Sequence, residues 1–275
     1  MILTVHCPAK VNLFLSVGPR DASGYHPVRT IMQAVGLYDT LTISTNTQQT
    51  QIRSNWVDLP ENNTVAKALR LASEVVPLPP MDIHIEKRIP AGSGLGGGSS
   101  DAAGLMRALQ VLWPQKIRPL TYFGIAVAIG VDVPFFLLGG LGRAEGYGER
   151  LTALPDPAEE WIVIGMPEAV SPTKQAYAAL DLQEYDWREF PMEDELHNDF
   201  LLVAPEESHR MIGQLIESGA RDAGLTGSGS AVFGRFHSQE MAAQARDRLR
   251  ESACNQAWTA RTLTREDSLK VTTAP

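Results

Sequence analysis

Apolar and polar residues alternate along several segments of the chain. Residues 10–17 are rich in Val, Leu and Phe, residues 31–44 end in an alternating Asp-Thr-Leu-Thr-Ile run, and residues 81–89 place isoleucines between polar neighbours. A period of two puts successive side chains on opposite faces of a strand, so this pattern predicts three β-strands. Three further strands are predicted at residues 161–166, 231–236 and 257–263.

A second pattern, with apolar residues three and four positions apart, predicts helices. The first helix is predicted at residues 65–72, where Asn62, Asn63 and Thr64 supply N-cap candidates, and it is expected to end before Pro77. Five further helices are predicted at residues 101–113, 120–129, 173–180, 206–218 and 239–252. Because strands and helices mix without the regular βαβ alternation of a doubly wound sheet, the predicted fold class is α+β.

The chain length of 275 residues allows one large domain or two of ordinary size, and we favour two. The acidic, proline-containing segment 154–157 is the predicted boundary, which gives domains of residues 1–154 and 155–275. Residues 139–142 are rich in glycine and are predicted to form a turn-rich stretch that leads to residues 144–148. The last few residues are expected to be frayed.

Composition and charge restrict the class of protein. A formal net charge of −8 disfavours broad electrostatic binding to nucleic acid or to acidic membranes. No apolar run approaches the roughly 18 residues of a membrane helix, and Pro8, Lys10 and Asn12 interrupt the apolar start, which therefore predicts a strand and not a leader. The two cysteines, Cys7 and Cys254, predict buried thiols in a reducing cytoplasm, because two are too few for a disulfide framework.

A glycine-rich stretch, here called the glycine loop, precedes the helix predicted at residues 101–113. Five of the seven residues 92–98 are glycine, so the backbone can approach an anion closely, and the amides that open the next helix favour phosphate. The loop is predicted to bind nucleotide phosphates, with a flexible loop or sharp turn as the alternative. Its serine hydroxyls are candidates for facing Mg²⁺. Its residues are Pro90, Ala91, Gly92, Ser93, Gly94, Leu95, Gly96, Gly97, Gly98, Ser99 and Ser100.

Three common nucleotide-binding motifs do not fit the glycine loop. Residues 92–97 formally satisfy the dinucleotide pattern G-x-G-x-x-G, but Pro90 precedes them and residues 113–120 contain no acidic residue where that fold requires one. The loop lacks the Gly-Lys-Ser/Thr ending of a P-loop. The chain also has no His-Arg-Asp or Asp-Phe-Gly triplet of a protein kinase.

Three separated motifs together resemble the GHMP kinases. They are Pro-Ala-Lys-Val-Asn-Leu at residues 8–13, the glycine loop, and Leu-Thr-Gly-Ser-Gly-Ser at residues 225–230, here called the second loop. The resemblance implies two α+β domains, with ATP and an acceptor in the cleft between them. Residues 24–26 and 130–134 are most similar to the members that use ATP and Mg²⁺ to phosphorylate the 2-hydroxyl of a cytidine-diphosphate-linked methylerythritol.

The same resemblance implies a catalytic pair. Asp132 is the candidate general base, because a carboxylate beside the acceptor hydroxyl can take its proton during phosphoryl transfer. Lys10 is implied to lie near Asp132, where its charge would keep the carboxylate ionised and orient the hydroxyl. The structural alternatives are that Asp132 caps a turn before Pro134 and that Lys10 is a surface charge.

The resemblance also assigns binding residues. Tyr25 and His26 are expected to stack on the cytosine and to hydrogen-bond its edge, with Tyr177 as a second stacking aromatic. Asn63 and Lys87 are expected near the ATP adenine or phosphates. Further acceptor contacts, or contacts that organise the glycine loop, are expected from Asn12, Thr173, Thr226, Gly227, Ser228 and Gly229.

Several alternatives stay open from the sequence. Glu145 is a candidate either for assisting a metal or for folding its loop. A homoserine-type or mevalonate-type kinase is the second enzyme hypothesis, and a nucleotide-binding module without catalysis is the third. Both Lys10 and Asp132 are present, which favours an enzyme. A monomer or weak homodimer is expected.

Overall fold

Two β-sheets with helices packed on them make up the fold in a computed structural model. The structure describes residues 1–56, 59–114, 117–169, 171–252, 254 and 256–274. The strands are β1 (Ile2–Val17), β2 (Val28–Ser44), β3 (Gln51–Ser54), β4 (Asp82–Glu86), β5 (Leu141–Glu145), β6 (Arg150–Ala153), β7 (Trp161–Met166), β8 (His197–Asn198), β9 (Asp222–Leu225), β10 (Val232–Phe236), β11 (Gln256–Arg261) and β12 (Val271–Ala274). The helices are α1 (Thr64–Ser73), α2 (Gly97–Leu112), α3 (Pro119–Ile129), α4 (Val133–Leu138), α5 (Thr173–Leu180), α6 (Glu206–Glu217), α7 (Gln239–Ser252) and α8 (Arg265–Leu269), with a 3₁₀ helix at Asp199–Val203.

The first sheet is built on the long antiparallel pair β1 and β2, which extends from Ile2 opposite Ser44 to Val17 opposite Val28. Its main strand order is β12-β1-β2-β4-β3, while β5 pairs with β2, β6 with β5, and β8 with β1. Helix α2 packs on this sheet, and its Leu105 is fully buried in the core beneath it. Burial of an apolar side chain of this size, compared with its exposure to water, stabilises the fold by about 1.5–3 kcal/mol.

The second sheet has the order β11-β7-β10-β9 and is antiparallel throughout. Helices α6 and α7 cover it, because their apolar faces supply Met211 and Leu249 to one buried cluster. Val163 of β7 and Phe236 of β10 complete that cluster from the sheet side. The second half of the chain therefore has a core of its own.

Strand β1 connects the two cores because both of its faces are buried. Cys7 packs in the first core, whereas Ala9 and Val11 pack in a third cluster that includes residues of β7 and β10. The change of face coincides with a register shift between Pro8 and Ala9. Since alternate residues of a strand face opposite sides, the polar residues that alternate with Ala9 and Val11 share the opposite side. One of them is Lys10.

The predicted fold class is confirmed, and so are the predicted elements. Each of the six predicted strands and six predicted helices is present, most with ends shifted by one to a few residues. The strand at 161–166 and the helix at 173–180 have the predicted bounds. Both cysteines are free and buried, as predicted.

Two predictions were wrong, and two short helices were not predicted. Residues 139–142 do not form turns alone, because Leu141 and Gly142 begin β5, which pairs with β2. The last residues are not frayed, since Val271–Ala274 pairs with β1; Pro275 lies outside the described residues. Helices α4 and α8 were not predicted, because six and five residues are too few for a helical period to be recognised.

Helix α2 begins at Gly97, four residues before its predicted start at residue 101. Glycine has a poor helix propensity, about 1 kcal/mol below alanine, so the local sequence argued against helix there. Close packing requires a small residue at this position, because a Cβ on Gly97 would lie 3.0 Å from the Ile89 side chain. The glycine loop and the helix are therefore one continuous unit.

The predicted domain boundary at residues 154/155 lies in the connection between β6 and β7 and remains a prediction. Strands β8 and β12, from the second half of the chain, pair with β1 of the first sheet. Within the described residues, no helix is both long and apolar enough to cross a membrane.

Candidate active site

A cavity of about 710 Å³ is lined by residues from both halves of the chain. This volume is typical of small-molecule sites. Most of the residues that the sequence singled out line it: Lys10, Asn12, Asn63, Lys87, Pro90, Ala91, Gly92, Ser93, Gly94, Gly96, Gly97, Gly98, Ser99, Asp132, Thr173, Tyr177, Gly227 and Ser228. The fold thus brings together motifs that are more than a hundred residues apart in the chain.

The glycine loop uses its glycines for backbone geometry. Gly92, Gly94 and Gly96 have φ angles of 66°, 81° and 76°, which other residues rarely adopt. A Cβ on Gly94 would lie 2.2 Å from the carbonyl oxygen of Thr226. Glycine at this position is therefore required for the close approach of the second loop.

The first turn of α2 lies at the cavity wall. Its N-cap is Gly96, and no side chain in the described residues caps the helix. The N–H groups of Gly97, Gly98 and Ser99 consequently have no intrahelical acceptor. Together with the helix dipole, these amides favour an anionic group in the cavity.

Asn12 joins β1 to the second loop. Its Oδ1 accepts from Lys10 Nζ at 2.5 Å, from Thr226 Oγ1 at 3.2 Å and from the Gly227 N–H at 2.8 Å. Its Nδ2 donates to Thr30 Oγ1 at 2.8 Å. The polar atoms of the Asn12 side chain thus have protein partners, and they fix the Lys10 ammonium relative to the second loop.

Asn198 holds the second loop from the other side. Its Nδ2 donates to the carbonyls of Leu225 and Gly227, both at 2.9 Å. Thr173 Oγ1 lies 3.0 Å from Ser228 Oγ, so the start of α5 also contacts the loop. The sequence analysis missed Asn198, because a single asparagine in a weakly patterned segment carries no local signal.

We expect Gly94→Ala to weaken ATP binding and to destabilise the fold. The substitution places a methyl group against the Thr226 carbonyl in a left-handed backbone, and such strain typically costs about 1–3 kcal/mol. The KM for ATP should rise at least about 10-fold as the two loops separate. Gly92→Ala is the control, because a Cβ there meets no atom within 4 Å although its φ is also positive. Equal effects of both substitutions would contradict the role of the loop–loop contact.

Lys10 and Asp132 are electrostatically coupled in the cavity. Lys10 is only 3% exposed; burial lowers its pKa, and the Asp132 carboxylate opposes that shift. Asp132 is half-buried at the N-cap of α4, but within the described residues its side chain makes no capping hydrogen bond. Burial, together with the charge of Asp132, raises the pKa of Tyr177 to about 12. The Asp132 carboxylate therefore lines the same cavity as Lys10 and Tyr177 and interacts electrostatically with both.

Lys87 lies in a buried ionic cluster. Its Nζ donates to Asp39 Oδ2 and, at 2.6 Å, to Asp101 Oδ2. Asp39 Oδ1 in turn accepts from the N–H groups of Arg88 and Ile89 at 2.5 and 2.8 Å. Burial lowers the pKa of Lys87, but the two carboxylates outweigh it, so the net pKa is raised. The predicted contact of Lys87 with nucleotide phosphates thus competes with two partners already in place.

Asp101 gives this cluster a pH dependence. Burial raises its pKa to about 7, although the Lys87 ammonium opposes the shift. In the unfolded chain the Asp101 carboxyl titrates at about pH 4. Between about pH 4 and about pH 7, Asp101 therefore holds a proton in the folded chain that it releases in the unfolded chain. The contribution of Asp101 to the free energy of unfolding should therefore fall as the pH rises through this range.

We accordingly expect the Asp101→Asn variant to gain stability relative to the wild type as the pH rises from 5 to 8. The amide cannot ionise, so it removes this proton uptake while keeping an oxygen for Lys87. Urea unfolding of both proteins at the two pH values measures the difference. A wild-type minus variant difference that does not change with pH would contradict the assignment.

The predicted base-reading residues lie beside the cavity. The ring centroids of His26 and Tyr177 are 5.1 Å apart. His26 Nδ1 donates to the Gly18 carbonyl at 2.9 Å, and its Nε2 lies 3.2 Å from Asp181 Oδ1. Tyr25 is 70% exposed. Only Tyr177 of the three aromatic residues lines the cavity, so the cytosine-reading roles of Tyr25 and His26 stay predictions.

Comparison with known proteins assigns the family. Residues 63–140 match the family model described as GHMP kinases N terminal domain, and residues 181–255 match the one described as GHMP kinases C terminal. The chain belongs to the GHMP kinase family.

Two relatives of this GHMP kinase have the same name. The chain is 33% identical over 270 residues to the 4-diphosphocytidyl-2-C-methyl-D-erythritol kinase of Syntrophomonas wolfei, an alignment that covers 90% of this chain and 94% of that protein. It is 36% identical over 272 residues to the protein of the same name from Geobacter metallireducens, with 91% and 95% covered.

Solved structures agree with this placement. A crystal structure of 4-(cytidine 5'-diphospho)-2C-methyl-D-erythritol kinase matches with a TM-score of 0.82 and 33% identity, covering 94% of this chain and 98% of that one. Homoserine kinase from Cytophaga hutchinsonii matches with a TM-score of 0.72 and 20% identity, covering 96% and 95%. The second likeness shows the GHMP fold alone.

A few predicted site residues of this GHMP kinase lie outside the cavity wall. The Leu95 side chain is in the core cluster shared by the two sheets, and Ser100 is fully buried with a hydroxyl that no described group satisfies. Thr226 is buried behind the wall, bonded to Asn12. Gly229 is also outside the wall. Their predicted ligand contacts stay predictions.

Asn63 has a structural role that the sequence also indicated. Its Oδ1 accepts from the Ala66 N–H at 3.0 Å and caps α1, and its Nδ2 donates to the Pro60 carbonyl at 2.9 Å. Asn63 lies in the cavity wall, so a nucleotide contact would involve an amide that already has two partners.

Thr30, Trp56, Asp101 and Tyr147 are among the cavity residues of this GHMP kinase that the sequence analysis did not assign to the site. Trp56 lies in a segment without periodic pattern, and its ring is 5.5 Å from Lys87 Nζ. Glu145 ends strand β5 and is not in the cavity wall. No group of three or more His, Cys, Asp or Glu is placed to hold a metal ion among the residues described.

Proposed function

We propose that this GHMP kinase transfers the γ-phosphoryl group of ATP to the 2-hydroxyl of 4-diphosphocytidyl-2-C-methyl-D-erythritol, a step in the non-mevalonate route to isoprenoid precursors. The observation that carries the proposal is the 33% identity and 0.82 TM-score to the kinase named for this substrate, across nearly the full length of both chains. The cavity supports it, because it holds both an anion-binding loop and a carboxylate near a lysine.

The donor end is the glycine loop and the first turn of α2. The uncapped amides of Gly97, Gly98 and Ser99 and the dipole of α2 fit an anionic triphosphate. Mg²⁺ would be held chiefly by the nucleotide phosphates, with the Ser99 hydroxyl as a further candidate, since Ser99 is one of the two loop serines in the cavity wall. The metal neutralises phosphate charge when it is bound.

The chemistry is assigned to Asp132 and Lys10. As the acceptor oxygen bonds to the γ-phosphorus, the bond from that phosphorus to the bridging oxygen breaks and ADP leaves. The hydroxyl proton passes to the Asp132 carboxylate, which contributes about 10²–10⁴-fold in such positions. Lys10, fixed by Asn12 at 2.5 Å, stabilises the negative charge on this carboxylate and on the transferring group.

The acceptor end is assigned to the aromatic residues beside the second loop. Tyr177 and Tyr25 would stack on the cytosine, and His26 would contact its edge. Stacking of a base on an aromatic side chain contributes about 1–3 kcal/mol per base. The diphosphate and the erythritol would be contacted by Asn12, Thr173 and the second loop.

Several properties follow for the protein as a whole. We infer that it acts in the cytoplasm, with two free cysteines that suit a reducing compartment. Its net charge of −8 supports a small-molecule acceptor over nucleic acid. We further propose a monomer or weak homodimer with domains of residues 1–154 and 155–275.

The test measures ADP release from ATP and Mg²⁺ with each of three acceptors. The purified protein receives 4-diphosphocytidyl-2-C-methyl-D-erythritol, homoserine or mevalonate. We expect turnover with the first acceptor only. Turnover with homoserine or mevalonate alone would overturn the substrate assignment, and no turnover with any of them would favour a binding module.

A further inference from the structure

The turn between β5 and β6 presents Tyr147 to the cavity. Gly146 and Gly148 on either side have φ angles of 73° and 117°, and the Tyr147 N–H donates to Glu149 Oε2 at 2.7 Å. A Cβ on Gly146 would lie 2.3 Å from Glu149 Oε1. Glu149 therefore closes a turn whose positive φ angles favour glycine, and the Tyr147 side chain, 41% exposed, lines the cavity.

The Tyr147 hydroxyl is bound to a distant loop. It donates to Asp21 Oδ2 at 2.6 Å and lies 3.1 Å from Ser23 Oγ. Asp21 Oδ1 accepts from the Ser23 hydroxyl and N–H at 2.5 and 2.8 Å. These bonds, with that of Ser23 first, lower the pKa of Asp21 to about 2, so the carboxylate is ionised near neutral pH. The hydrogen bond from Tyr147 is therefore charge-assisted.

Asp21 controls the conformation of residues 18–27, here called the aromatic loop because it carries Tyr25 and His26. The Asp21 N–H donates to the Tyr25 carbonyl at 2.9 Å, and the Asp21 carbonyl accepts from the Gly24 N–H at 3.0 Å. The Tyr25 ring meets the Tyr147 ring edge-on, with centroids 6.0 Å apart. Among the described residues this is the one ring contact that Tyr25 makes, since its side chain is 70% exposed.

We propose that Tyr147 is a positioning residue of the acceptor site, which holds the aromatic loop at the cavity mouth so that Tyr25 meets the base of a cytidine-bearing acceptor. The inference rests on the proposed function for the identity of that base. It adds a residue that neither the sequence motifs nor the family resemblance indicated. Tyr147 holds the aromatic loop through two contacts: its hydroxyl donates to Asp21, and its ring packs against the ring of Tyr25.

The test compares Tyr147→Phe and Asp21→Asn with the wild type. Both sites are at the surface. Tyr147→Phe loses the hydroxyl bond to Asp21, and Asp21→Asn replaces the charge-assisted bond by at most a neutral one. Neither substitution changes the shape of the side chain much, so the fold should be kept. The KM for the cytidine acceptor should rise roughly 5- to 20-fold in each, while kcat and the KM for ATP change less than about two-fold. Because both substitutions break the same contact, the double variant should be no worse than the more affected single one.

The matched control is Tyr38→Phe, which removes a phenol hydroxyl that lies outside the cavity wall and has no hydrogen bond within the described residues. Its KM values should equal those of the wild type. An acceptor KM of Tyr147→Phe within about two-fold of the wild type, or effects of the two single variants that add in the double variant, would overturn the proposal.

Calorimetric binding of cytidine 5'-diphosphate separates this inference from the proposed function. If the wild type fails to phosphorylate the acceptor but binds this nucleotide more tightly than Tyr147→Phe does, the proposed reaction is wrong and the positioning role stands. Absence of binding to the wild type, or equal binding to both proteins, overturns the positioning role.

Discussion

Replacing Asp132 by Asn is expected to lower kcat at least about 100-fold while the affinity for ATP stays within about two-fold of the wild type. The amide has nearly the shape of the carboxylate but cannot take the acceptor proton. Asp132 makes no capping hydrogen bond within the described residues, so the substitution removes no contact that holds α4. Initial rates at saturating ATP and acceptor, with ATP binding measured by calorimetry, give both quantities.

The control for Asp132→Asn is Asp247→Asn. Asp247 lies on α7, is exposed, pairs with its neighbour Arg246 and is not part of the cavity wall. The same chemical change there should leave kcat unaltered, since exposed ion pairs contribute little. If Asp132→Asn keeps near-normal turnover, Asp132 is not the base. If it loses ATP affinity and kcat together, its role is in donor binding.

The fold followed from the sequence where local pattern and packing agree. The strand at residues 161–166 is a continuous apolar run in a sheet that is covered on both faces, and the structure has it at the predicted bounds. Helix α2 is the opposite case, because its first residues are glycines whose propensity argues against helix. Gly97 packs against Ile89 and Asp39, and Gly98 packs against Thr64, so tertiary contacts and not local propensity favour the helix there.

The candidate site was predictable where a motif carried the signal. Lys10 interrupts an apolar strand, and it is buried in the cavity wall because a register shift after Pro8 turns it to that side. The contact between Tyr147 and Asp21 was not predictable, since it joins residues 126 positions apart whose local sequences indicate only turns. The same holds for the partners of Lys87, which lie on β2 and α2.

Lys87→Met is expected to lower the free energy of unfolding by about 3–5 kcal/mol, because it leaves the buried carboxylates of Asp39 and Asp101 without their cation. Methionine has a similar length, so the loss is of charge and hydrogen bonds and not of volume. Asp39 keeps two backbone donors, from Arg88 and Ile89, whereas Asp101 Oδ1 has no described partner. Adding Asp101→Asn should therefore restore part of the lost stability, and urea unfolding measures both steps.

Arg53→Met is the matched control for Lys87→Met. Arg53 is 58% exposed on the neighbouring strand β3 and pairs with Asp82 at 2.5 Å, so its loss should cost at most about 1 kcal/mol. The comparison separates burial from the mere presence of an ion pair. If Lys87→Met unfolds like Arg53→Met but raises the KM for ATP, the ammonium acts on the nucleotide, as the sequence predicted. A large loss of stability that Asp101→Asn partly restores instead makes Lys87 the cation of a buried cluster that supports the first turn of α2.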